Sequence, residues 1–200
     1  QMGLSHPVVN ALTEDKNGGL WIGTYGGGIN YLDRKTKVNT YYEIRNNQKQ
    51  TRNGVKSLAK DEKGNLWVGT LDGLCAFNTT TKEIKFFNFE ITQGKLSENL
   101  INAIATDQGT VWAGTNGGGL RHLQPDGSYV TYSHNATNAT GISDNFVTAL
   151  LKDVQNNLWV GTQNGLNYYQ SRTKTFKRHV KTSDPYTLSN NSVTTLFKDS

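Results

Sequence analysis

The chain has little cysteine, little proline and no long apolar run. A single cysteine, Cys75, among 200 residues excludes a disulfide framework within the chain. Three prolines are too few for a proline-rich linker. No apolar stretch approaches the roughly 20 residues that a membrane-crossing helix needs. The N-terminus also lacks the charged-then-apolar pattern of a signal peptide, so any such leader is expected outside these residues. What is abundant points elsewhere. Twenty-one glycines, nine tyrosines and seven phenylalanines, with a hydrophobic fraction of only 34%, describe a turn-rich β protein.

The net charge of +5 is unevenly spread. Residues 166–185 hold Arg172, Lys174, Lys177, Arg178 and Lys181 against Asp184. A basic stripe of this kind can attract an acidic partner. Its placement on an expected outer strand favours protection of an edge against pairing with other chains, and no nucleic-acid partner is expected. No segment calls for direct membrane contact.

The four tryptophans, Trp21, Trp67, Trp112 and Trp159, are spaced by 46, 45 and 47 residues. Each sits in the same phrase: LWIGT, LWVGT, VWAGT and LWVGT. Upstream, an apolar run closes on Asp15, Asp61, Asp107 and Asp153, with Val9, Val55, Ile101 and Val147 six residues before. Small residues, Ala11, Ser57, Ala103 and Ala149, precede each Asp by four. Turns rich in Gly and Asn follow the Asp and again the tryptophan strand, as tight hairpins require. Two further strands complete each copy, for example INYLDR then VNTYYEI. A four-stranded unit at this period predicts a β-propeller blade.

The expected fold is all-β: a β-propeller of four-stranded antiparallel blades, here an incomplete ring. Residues 1–200 form the partial propeller, with blades at about 5–45, 51–91, 97–136 and 143–183. The first strand of a fifth blade begins within 189–200, as SVTTLFKD repeats the first-strand pattern. Blades stacked on one another bury both sheet faces, which LWVGT suits. The tryptophan fills the gap between sheets, and the glycine two residues on leaves room for an opposing side chain. The tryptophans therefore read as core anchors. The glycine runs at 26–28 and 117–119 precede strands rather than helices, so they read as hairpins and not phosphate loops.

The phrase running from Asp through Leu-Trp-Val-Gly-Thr to Gly-Leu, clearest at residues 61–74 (DEKGNLWVGTLDGL), resembles the two-component regulator propeller repeat. The likeness covers all four copies. A third-copy turn shorter by one residue and Asn156 in place of a turn glycine are the departures. The resemblance implies the periplasmic sensor region of a hybrid two-component histidine kinase of Bacteroidetes, anchored in the inner membrane. It further implies two seven-bladed propellers, a β-sandwich, one membrane helix and kinase and regulator domains in the parent chain. The ligand it implies is an oligosaccharide.

Two other functions compete. A propeller lyase needs a metal and a histidine, but His6, His122, His134 and His179 occupy different repeat positions without ligand-like spacing. No catalytic residue, metal ligand or cofactor is expected. A structural or oligomerisation role is the other alternative, and the unpartnered fifth-copy strand suggests a homodimer or the remaining blades of a parent chain as its partner. For a ligand, the turn after each tryptophan strand and the inter-blade loop emerge at one end. The candidate binding residues there are Tyr25, Asp72, Asn116 and Gln163, with Arg45, Arg52 and His134 from the longer loops. Cys75 is expected to be a reduced, unreactive thiol.

Overall fold

Each copy of the repeated phrase becomes one sheet. The computed structural model describes residues 3–45, 54–87, 99–137 and 141–199. It contains four antiparallel four-stranded sheets in simple meander order. The first comprises β1 (Val9–Glu14), β2 (Leu20–Thr24), β3 (Ile29–Leu32) and β4 (Asn39–Tyr42). The second comprises β5 (Val55–Lys60), β6 (Asn65–Thr70), β7 (Gly73–Asn78) and β8 (Ile84–Phe87). The third holds β9 (Ile101–Asp107), β10 (Thr110–Thr115), β11 (Leu120–Leu123) and β12 (Tyr129–Tyr132). The fourth holds β13 (Val147–Lys152), β14 (Leu158–Thr162), β15 (Gly165–Gln170) and β16 (Thr175–His179). The architecture is all-β, and its sheets are propeller blades.

Two compact units divide the chain. Residues 1–90 and 99–101 make the first, and residues 91–98 and 102–200 the second. Each has its own core. In the first, Trp21 packs with Tyr31, Tyr42 and Phe77, the last belonging to the second sheet at a centroid distance of 5.5 Å. In the second, Trp112 packs in the same way against Tyr132 and, from the fourth sheet, Tyr169 at 4.9 Å. Trp21, Trp67 and Trp112 are buried and serve as the core anchors that the repeat predicts, whereas Trp159 is only half-buried.

The glycine of each phrase is a notch. A Cβ on Gly161 would lie 2.8 Å from Val193 Cγ1, inside any tolerable contact, and one on Gly69 would lie 2.8 Å from Ile101 Cγ2. Cβ atoms on Gly23 and Gly114 would meet Val55 and Val147 more closely still. In every copy, the β-branched residue that opens the next first strand fills the space left by the glycine. The expected room for an opposing side chain is thus occupied, each time by the same partner.

A second stitch lies beside it. The ladders of β1–β2, β5–β6 and β13–β14 slip one register after the opening valine. The extra residue turns its side chain out of the ladder. From these places Asn10 donates to Val55 O at 2.7 Å and Thr148 donates to Val193 O. Asn102, at the same repeat position, donates to Val147 O at 3.0 Å. Neighbouring blades in each unit are therefore joined by a hydrogen bond as well as by packing.

Two sequence departures find physical reasons. The turn after the repeated Asp needs a left-handed residue, supplied by Gly18, Gly64 and Gly109 at φ 80°, 86° and 87°. In the fourth copy Asn156 takes it at φ 66°, and asparagine is the side chain that tolerates this region best. The outer strand β16 carries the basic stripe, and Phe176, its one aromatic, is buried in the core. Val193 fills the Gly161 notch as Val55, Ile101 and Val147 fill theirs, and its N–H donates to Thr162 O at 3.0 Å. Residues 194–199 join no sheet, and Phe197 is exposed.

Candidate functional site

The turn after each tryptophan strand is built by one backbone rule. Its first residue donates its N–H to the carbonyl just before its own first strand: Tyr25 to Val8 and Leu71 to Gly54, both at 3.0 Å, and Gln163 to Phe146 at 3.1 Å. Inside the turn, the threonine closing the phrase pins the loop. Thr24, Thr70, Thr115 and Thr162 hydroxyls donate to the carbonyls of Gly28, Gly73, Gly119 and Gly165. Gly119 shows why the residue must be glycine: its φ is 82°, and a Cβ would lie 2.5 Å from Tyr132 O. A fixed frame therefore holds non-identical side chains, Tyr25, Leu71, Asn116 and Gln163, at equivalent positions.

In the first unit Tyr25 is half exposed. His6 approaches it with ring centroids 6.2 Å apart, and Lys56 Nζ sits 5.8 Å from its ring centre. Arg45 does not join this group; it pairs with Glu43, whose carboxyl it holds below the usual range. Asp72 lies half-buried in the next turn with its amide bonded to Thr70 Oγ1 at 3.1 Å. Arg52 falls outside the described residues.

In the second unit, Asn116 forms a lone bridge with Phe146, whose carbonyl also receives the Gln163 amide. Two residues with amide side chains are thus joined through the backbone to an exposed phenylalanine. The His134 backbone N–H donates to Asn145 Oδ1 at 2.6 Å, and its Nδ1 lies 3.2 Å from Ile142 O. The Asn145 carbonyl meanwhile takes the amides of Gly117 and Gly119. His134 is therefore braced to the same loop, next to Phe146.

Phe146, His6 and Lys56 are additions to the sequence-derived set. Phe146 was legible: the residue just before the first strand is Val8, Gly54 and Leu100 in the other copies, and an aromatic there departs from the repeat. Lys56 and His6 carried no such signal, because only folding sets them beside Tyr25.

The inter-blade loops are anchored by a buried pair. Asn30, fully buried in β3, accepts from Ser5 N at 3.1 Å and donates to Ser5 Oγ at 2.7 Å. Asn167 in β15 does the same to Ser143, at 2.8 and 3.0 Å. Cys75 holds that position in the second sheet, where its thiol is completely buried and its pKa is pushed up to about 12 by loss of solvent. The thiol is free and buried, which accords with the reduced, unreactive thiol expected from the sequence. Arg121 holds it in the third sheet, also buried, with its guanidinium 5.5 Å from the Tyr129 ring centre.

Comparison with known proteins follows this geometry. The two-component regulator propeller family model matches residues 3–26, 50–72 and 141–164. Histidine kinase P4 of Formosa agariphila is 30% identical over 167 residues, which are 82% of this chain and 12% of that protein. The extracellular domain of a hybrid two-component system of B. thetaiotaomicron superposes with a TM-score of 0.78 at 23% identity, over 96% of this chain and 25% of that one. Virginiamycin B lyase from Staphylococcus aureus shares the fold at a TM-score of 0.69 and 14% identity, over 88% of this chain and 56% of the lyase. The chain thus spans about an eighth of its kinase relative and a quarter of the extracellular domain. The repeated phrase and the blade geometry agree with these matches: residues 3–26, 50–72 and 141–164 of this chain carry two-component regulator propeller repeats.

Proposed function

We propose that the chain is part of an extracytoplasmic ligand-sensing region of a hybrid two-component signalling kinase, and that an oligosaccharide binds at the turn-and-loop end of its blades. The observation that carries this reading is the fixed frame with variable content. The same backbone bond presents Tyr25, Leu71 and Gln163, so selection for packing has set the turn and left the side chain to other demands. The residue types suit sugar recognition. An aromatic face beside a cation (Tyr25 with Lys56), and an exposed aromatic whose backbone pairs with two amide-bearing residues (Phe146 with Asn116 and Gln163), offer stacking surface and hydrogen-bond groups at one end of the blades. The kinase relative supports signalling as the output. The parent protein is read as periplasmic and anchored in the inner membrane.

The lyase reading has less to stand on. Among the described residues no group of three His, Cys, Asp or Glu side chains converges to hold a metal. Likeness to the lyase at 14% identity reaches the fold and no further. The test is a glycan-array screen of the complete ectodomain, followed by alanine substitution of Tyr25, Arg45 and Arg52, and of Asn116, Phe146 and Gln163. Loss of binding by either set is the expected result. Retained binding in both, with loss on substitution at the opposite end of the blades, overturns the assignment.

A further inference from the structure

The loop end of the second unit gathers unlike groups around one aromatic ring. Phe146 is 39% exposed. Its ring lies against Gly117, where a Cβ would sit 3.7 Å from the ring Cζ. Asn116 faces Phe146 across an antiparallel bridge. Gln163 faces it within its own sheet: the register that pairs Val147 with Thr162 continues one step outward, and the Gln163 amide donates to Phe146 O. Residues opposed in this way project from the same face of a sheet, with Cβ atoms about 5 Å apart. The remaining member is Asp144. Its Oδ1 accepts the Phe146 N–H at 2.7 Å, and its carboxylate has no other side-chain partner among the described residues.

The frame does not require this negative charge. At the position of Asp144 it needs only an acceptor for the amide two residues on. His6 Nδ1 takes the Val8 amide at 3.1 Å, and Asn190 Oδ1 takes the Ser192 amide at 2.8 Å. A neutral side chain thus does the same structural work, and the charge of Asp144 is surplus to the fold. The first unit presents the opposite sign. There His6 and Lys56 stand beside Tyr25, whereas Asp144 and Thr148 hold the corresponding positions in the second. The Thr148 hydroxyl is spent on Val193 O.

We propose that this cluster takes a neutral pyranose ring of the glycan and that Asp144 sets the specificity; the inference rests on the loop end being the glycan-binding surface. An ionised carboxylate accepts sugar hydroxyls through charge-assisted hydrogen bonds, roughly twice as strong as neutral ones. The Asn116 and Gln163 amides each carry donors and an acceptor for neighbouring hydroxyls. The open side of Phe146 supplies apolar surface for the C–H face of the ring. A uronate or sulfated sugar brings a second negative charge to the same place. Like charges a few ångströms apart repel, and none of these residues is a cation that would offset them.

The test is an amide-resolved NMR titration of the 200-residue chain at constant ionic strength. The probes are the methyl glycosides of glucose, galactose and mannose, and those of their uronates. Saturable shifts at residues 116–117, 144–146 and 163 are expected with at least one neutral glycoside. Its uronate counterpart should bind about tenfold more weakly, by a margin that narrows as salt is raised. Asp144→Asn, which keeps an acceptor for the Phe146 amide, should weaken the neutral sugar about tenfold and erase the discrimination. Tighter binding of the uronate, or discrimination unchanged in Asp144→Asn, overturns the proposal. Shifts confined to His6, Tyr25 and Lys56 also overturn it but leave the loop-end reading standing, and shifts at neither loop end overturn both.

Discussion

The two units solve one electrostatic problem in different ways. In each, an aspartate stands at or just after the end of the first strand of the leading sheet and a lysine ends the first strand of the next sheet: Asp15 with Lys60, Asp107 with Lys152. In the second unit the pair closes into an ion bridge with side chains only 17% and 23% exposed. In the first, the Tyr31 hydroxyl donates to the aspartate at 2.7 Å. The residue responsible sits across from the tryptophan: Tyr31 pairs with Trp21, and His122 with Trp112. His122 has no hydroxyl to offer. It stacks flat on Trp112, with centroids 3.7 Å apart, and Asp107 turns to Lys152. The other two aspartates differ again. Asp61 accepts the Trp67 indole at 2.9 Å, because Ala76 stands where a tyrosine would, and Asp153 returns to the tyrosine solution with Tyr168 at 2.9 Å. A residue can recur at a fixed repeat position and still turn to a tyrosine, a tryptophan or a lysine in different copies.

The largest expected effect tests what the units share. Gly23→Val and Gly114→Val each drive a branched side chain into a filled notch. Each should cost about 3 kcal/mol or more, read as a lowered urea midpoint. A variant in one unit that lost less than about 1 kcal/mol would break the equivalence of the two notches. The next effect separates the units. Lys152→Met should cost about 2 kcal/mol by stranding a half-buried Asp107, while Lys60→Met should cost about 0.5 kcal/mol. Equal losses would mean that Asp15 depends on its lysine as Asp107 does.

A smaller effect concerns pH. Burial, partly offset by Asp107 and reinforced by Lys152 and Lys174, pushes His122 down to about 4 from its ordinary value of 6.5. The unfolded chain therefore takes up this proton first. Stability from the neutral ring is complete above about 6.5 and is lost as pH falls towards 4. Between pH 6.5 and 5, His122→Phe should flatten the decline of chemical-denaturation stability by about 1 kcal/mol, allowing for partial exposure. Asp15 behaves differently. Burial alone would raise its pKa, but the Tyr31 hydroxyl and the Gly19 and Asn17 amides together bring it below the ordinary value. Its contribution holds above the ordinary carboxylate range and fades only as pH drops through the lowered pKa. Tyr31→Phe should leave the pH 5 to 6.5 profile as it was.

The smallest effect lies in the turns between third and fourth strands. Lys37 holds a left-handed φ of 61°, a place that Gly127 fills in the third sheet at 90°. Lys37→Gly should raise the melting temperature by about 1–2 °C, the relief of backbone strain exceeding glycine's entropy cost by about 0.5 kcal/mol. Gly127→Lys should lower it.

Much of the candidate site escaped the sequence for a physical reason. Tyr25, Asn116 and Gln163 were legible because they vary inside a constant phrase. Arg45 was also legible as a loop cation, yet its charge is answered locally by Glu43, two residues away. Lys56 lies in a strand whose pattern announces only packing, and its approach to Tyr25 follows from how β5 meets the turn of the neighbouring sheet.

The sequence by itself determined the four sheets, their strand order, the buried tryptophans and the glycine notches. These depend on local period, turn chemistry and the volume of one side chain, all of which repeat with the chain. Tertiary structure decided which partner each aspartate takes, that Cys75 is wholly buried, and that Lys56 lies over Tyr25. Those outcomes depend on side chains about 45 residues apart meeting across two sheets, and a hydrogen bond or ion pair is settled by whichever donor reaches the oxygen first.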